Sequence, residues 1–99
     1  MATFKLGRVV ATESVNNRMQ NDRVFAAFVS KSLRRYQECD WGDTCKEDKE
    51  SNDHAIDNGE RILAVYTQDP ILREPITIWI ITEWDRSDTT TTVLFPEEY

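Results

Sequence analysis

The sequence predicts an α+β domain of residues 1–99: a four-stranded, mainly antiparallel sheet, element order βαααβββ, with helices packed on one face. Three observations carry this reading. One amphipathic helix pattern begins at Phe25, three β-rich runs follow residue 60, and turn residues separate those runs closely enough for an antiparallel meander. Ninety-nine residues fit a single domain. A chain of this size hides roughly 60–65% of its unfolded surface, which allows one core.

Phe4 to Thr12 reads as a strand, with Phe4 and Leu6 alternating with Lys5 and Gly7 before Val9-Val10. Thr12 is placed to cap a short helix at about 13–19, and Asn21 or Asp22 to cap a stronger one. In the second helix Phe25, Phe28, Val29, Leu33 and Tyr36 share one face of a 3.6-residue period. Arg23, Lys31, Arg34 and Arg35 fall mostly on the other side. Gly42 gives the Trp41-Gly42-Asp43 turn its backbone freedom. Thr44-Cys45-Lys46-Glu47 fits a capping box, so a third helix should start near Cys45 and end at Asn58-Gly59. That helix is polar nearly all round, with only Cys45, Ala55 and Ile56 to dock it.

Arg61 to Thr67 alternates around Ile62, Ala64 and Tyr66, and a proline-bounded loop from Asp69 to Pro75 follows. Ile76 to Trp84 is apolar on both faces, as a central strand should be. Asp85-Arg86-Ser87-Asp88 is a turn, and Thr89 to Phe95 is a last strand, stopped by Pro96. The helix side of the core should come from residues 25–36. Ile78, Ile80 and Val93 or Leu94 should supply the sheet side.

The net charge of −6 is unevenly spread. Residues 1–37 carry seven Lys/Arg against two Asp/Glu, whereas residues 38–60 carry nine Asp/Glu against two Lys. A block that acidic repels nucleic acid and attracts basic protein surfaces. No apolar run is long enough to span a membrane, and the N-terminus lacks a secretion signal's apolar stretch. These features point to the cytosol, where Cys39 and Cys45 are expected reduced.

The chemistry-bearing patterns are weak. Cys39, Cys45 and His54 are spaced C-x5-C-x8-H, wider than structural zinc sites use, so no metal is expected. His54 is the only histidine, and an acidic surrounding suits an imidazolium rather than the neutral base that a nucleophile needs. Glu83 and Asp85, roughly 7 Å apart if extended, fall within glycosidase reach, but a chain this short has little material for a cleft. The alternative is a turn fixed by Arg86. No glycine-rich phosphate loop occurs. No enzyme and no cofactor is the resulting expectation. Asp43, Glu47, Glu50 and Asp57 follow helical spacing, with Asp53 nearby, as a carboxylate stripe fit for a basic partner. Trp41 and the Trp84-Asp85-Arg86 turn form a second contact area. The basic residues of segment 23–35 are the alternative, as a direct nucleic-acid contact.

Trp41-Gly42-Asp43, Asn52-Asp53 and the C-terminal run IWIITEWDRSDTTTTVLFPEEY together resemble a family of small proteins encoded on plasmids, phages and other bacterial mobile elements, labelled plasmid-related protein. The family carries a leucine-rich helix where this chain has VFAAFVSKSLRRYQ. The resemblance implies a genomic setting rather than a chemistry. Small acidic proteins in that setting often inhibit host defence by binding nuclease or CRISPR complexes, so an anti-CRISPR or anti-restriction role is expected, as a monomer or homodimer.

Overall fold

The computed structural model describes residues 4–68, 75–84 and 88–99. The expected loop at 69–75 and the turn at Asp85-Arg86-Ser87 fall wholly or mostly outside those residues. The elements are β1 (Arg8–Ala11), α1 (Glu13–Asn21), α2 (Arg23–Gln37), α3 (Lys46–Asn58), β2 (Ile62–Thr67), β3 (Thr77–Trp84) and β4 (Thr89–Leu94), followed by a short 3-10 turn at Pro96–Glu98. This is the expected βαααβββ order.

The sheet is mixed, in the order β1-β4-β3-β2. β2, β3 and β4 form the antiparallel meander, and β1 joins β4 in parallel. Registers Ala64↔Ile80↔Val93 and Ile62↔Thr82↔Thr91 place these side chains on one face. Each of them is buried, against Phe25, Val29 and Tyr36 of α2 and Val15 of α1. Burying a side chain of Phe25's size stabilises the fold by about 1.5–3 kcal/mol. Both caps act as the sequence suggests: Thr12 Oγ1 accepts from Val15 N, and Asp22 Oδ1 accepts from Phe25 N.

A hydrogen-bonded chain crosses the core. Tyr36 Oη bonds Thr82 Oγ1 at 2.7 Å, the Thr82 and Thr91 hydroxyls lie 2.8 Å apart, and Thr91 Oγ1 donates to the Leu6 carbonyl at 2.7 Å. Burial pushes the Tyr36 phenol well above its usual range, so it stays a donor.

Two expectations are corrected. β1 begins at Arg8 rather than Phe4. Phe4 belongs to the core instead, its ring 5.3 Å from Tyr36, 6.1 Å from Trp41 and 5.9 Å from Trp84. Its backbone bonds Gln37 on α2 rather than a strand. Thr44 does not form a capping box: α3 starts at Lys46 with Cys45 as N-cap and no side-chain cap bond. The Thr44 hydroxyl is used elsewhere. Gly59 ends α3 in the left-handed conformation, as Asn58-Gly59 suggests.

Candidate protein-binding face

α3 is a helix with almost no apolar side. Only Asn52 and Ala55 are buried. Its attachment is polar and runs along β2, the edge strand. Along β2, Leu63, Val65 and Thr67 turn their backbone groups away from β3, where they would lie unpaired at the sheet's border. Residues of the acidic segment meet five of these groups. Asn52 accepts from Leu63 N at 3.3 Å and donates to Leu63 O at 2.9 Å. Thr44 Oγ1 accepts from Val65 N at 2.9 Å while donating to the Trp41 carbonyl. Asp43 Oδ2 accepts from Thr67 N at 2.8 Å, and Asp43 N donates to Val65 O at 2.8 Å.

The Trp41-Gly42-Asp43 turn holds this clamp in place. Trp41 is 4% exposed, edge-on to Tyr36 at 5.5 Å, and its Nε1 donates to Asp53 Oδ1 at 2.8 Å. Gly42 has φ +62, and a Cβ there would come within 2.5 Å of the Tyr66 ring, so any side chain is excluded twice over. Ahead of the turn, Arg35 binds Asp40 through Nε at 2.9 Å and Nη2 at 3.2 Å, with its guanidinium 5.4 Å over the Tyr66 ring. The Arg35 bonds hold the Asp40 carboxyl below its usual range, helped by Gly42 N. Tyr66 Oη donates to the Asp40 carbonyl at 2.7 Å.

The structure therefore divides the residues that the sequence singles out. Asp43 lies before α3, bonded to β2, and is not part of a helical stripe. Asp53, though exposed, is bonded to Trp41. Glu47, Glu50 and Asp57 are exposed on α3 and form no hydrogen bond or ion pair among the described residues. Trp84 is half-buried against Phe4, and its Nε1 donates to the Glu60 carbonyl. Asp85 and Arg86 lie outside the described residues. Glu83 is exposed, 3.6 Å from Arg61. Of the basic helix face, Arg23, Lys31 and Arg34 are exposed, while Arg35 is committed to Asp40.

His54 is exposed, with Nε2 3.2 Å from the Asn58 amide and 3.6 Å from Glu60. Burial raises the Cys39 thiol's pKa, and Cys45 is exposed. Among the described residues no group of three His, Cys, Asp or Glu side chains is placed to hold a metal ion, and no helix is long and apolar enough to cross a membrane.

Asn52 is the structural residue that composition and periodicity conceal. A polar residue on a polar helix carries no pattern, and only its place in the Asn52-Asp53 pair marks it. Comparison with family models, curated proteins and solved structures finds no match to this chain.

Proposed function

We propose that this chain is a non-enzymatic protein-binding module of a mobile element that inhibits a bacterial defence complex in the host cytoplasm. It engages a basic, nucleic-acid-binding surface through the outer face of α3. One observation carries the reading: the polar clamp uses Asn52, Asp43, Thr44 and Asp53, and leaves Glu47, Glu50 and Asp57 exposed with no partner among the described residues. Glu47, in the first turn of α3, suits the helix dipole, but Asp57 is not placed for helix stability. α3 has no basic residue in its last turn, where Asp57 meets the negative end of the helix dipole. The setting, and with it the class of target, rests on the resemblance to the mobile-element family.

The test is affinity capture from bacterial lysate with mass spectrometry, run in parallel on the wild type and on Glu47→Lys/Glu50→Lys/Asp57→Lys. The expected result is a nucleic-acid-binding target retained by the wild type and lost by the triple variant, with Arg23→Glu/Lys31→Glu/Arg34→Glu retaining it. Retention of that target at full strength by the acidic triple variant would contradict the proposal. Direct nucleic-acid binding abolished by the basic triple variant would favour a nucleic-acid regulator instead.

A further inference from the structure

Among the described residues, the sheet edge opposite the clamp is bare. In a parallel ladder, alternate residues turn both backbone groups toward the neighbouring strand, and those between turn both outward. Thr12 N donates to Val93 O at 3.1 Å, just past the β1–β4 ladder. Val10 and Thr12 therefore face β4, and Val9 and Ala11 present N–H and C=O outward. Among the described residues no element lies beyond β1. Val9 and Val10 are 44% and 36% exposed. β1, Arg-Val-Val-Ala, is short and carries the charge of Arg8, but it has no proline, lysine or bulge, and no segment covers it among the described residues.

We propose that β1 pairs antiparallel with β1 of a second copy of this chain, about a two-fold axis at Val10, joining the two sheets into one. The sequence is self-complementary in that register. Val9 of each copy lies opposite Ala11 of the other, so both outward residues of each strand form hydrogen-bonded pairs. Val10 faces its own counterpart on the sheet face away from Phe25 and Tyr36, since it is aligned with Thr92 rather than with Thr91 or Val93. Arg8 falls opposite Thr12 of the second copy and beside its Glu13, and the same contact recurs across the axis. Arg8 and Glu13 are exposed and form no described ion pair within one chain. Centring the pair on Val9 instead would set Ala11 against Gly7, whose φ of +67 departs from strand geometry. The acidic segment lies along β2, at the far edge of the sheet, so its charge does not oppose this contact.

Two measurements test the pairing. The first is mass in solution by light scattering across a concentration series, for the wild type and for Val10→Glu. The second is oxidative cross-linking of Val10→Cys and Val9→Cys, each in a Cys45→Ser background. Non-hydrogen-bonded antiparallel partners have Cα atoms about 4.5 Å apart, within the range a disulfide spans. The expected result is a mass rising toward two chains for the wild type and staying at one for Val10→Glu. Val10→Cys should cross-link at least tenfold faster than Val9→Cys, which faces Ala11 rather than itself. A one-chain mass at every concentration, or equal cross-linking at the two positions, would overturn the proposal.

Discussion

The two borders of the sheet solve the same problem in opposite ways. At β2, three outward-facing N–H groups and two carbonyls are met by Asn52, Thr44 and Asp43, all from the acidic segment. At β1 the outward groups meet nothing among the described residues, and two valines stand exposed beside them. The contrast separates two kinds of acidic and polar residue that look alike in sequence. Some complete the backbone hydrogen bonding of a sheet edge, whereas Glu47, Glu50 and Asp57 have no side-chain partner among the described residues.

Substitutions at the closed edge should therefore destabilise the fold far more than substitutions at the open one. Gly42→Ala is expected to be the most severe. It combines a positive φ with a Cβ pressed into the Tyr66 ring, and strain and overpacking of these kinds each cost about 1–3 kcal/mol. Urea unfolding should show a midpoint well below that of the wild type. Asn52→Ala should follow at about 1–3 kcal/mol, because it leaves both the N–H and the carbonyl of Leu63 unpaired beside a helix. Thr44→Val keeps the shape and removes a hydroxyl that both donates and accepts, for about 1–2 kcal/mol in the same assay. Val9→Thr, at the open border, should stay within about 0.5 kcal/mol when measured on the single chain.

The turn that leads into the clamp adds a pH dependence. Asp40's carboxyl has a lower pKa folded than unfolded, first because Arg35 bonds it. Its contribution is present above the unfolded carboxylate pKa and is lost as pH falls through the depressed folded value. The pair is solvent-exposed, so the effect is small. Thermal unfolding followed from neutral to acid pH should fall less steeply for Asp40→Asn than for the wild type.

How much of this was legible in the sequence depends on what holds each element. α2 is fastened by apolar side chains at helical spacing, and that spacing announces both the helix and its buried face, from Phe25 to Tyr36. The meander was equally plain, because β3 is apolar on both faces and turn residues bound its neighbours. α3 is fastened by hydrogen bonds to a strand that begins several residues after it, and no local period records such a bond. Thr44 illustrates the failure: Thr-x-x-Glu matches a capping box, but the hydroxyl bonds Val65 and Trp41 across the fold. Phe4 failed for a related reason, since alternation with Lys5 suggests a strand and three aromatic neighbours take the ring instead. The carboxylate stripe was legible only in part. Glu47, Glu50 and Asp57 lie on α3 as read, whereas Asp43 precedes the helix and serves β2.

Site-resolved hydrogen exchange tests the central claim most directly, at a concentration low enough to keep the chain single. The clamp predicts slow exchange at the Leu63, Val65 and Thr67 amides and fast exchange at Val9 and Ala11, with Asn52→Ala selectively accelerating Leu63. Equal, fast exchange at both borders, or an Asn52→Ala variant that leaves Leu63 as protected as in the wild type, would contradict it.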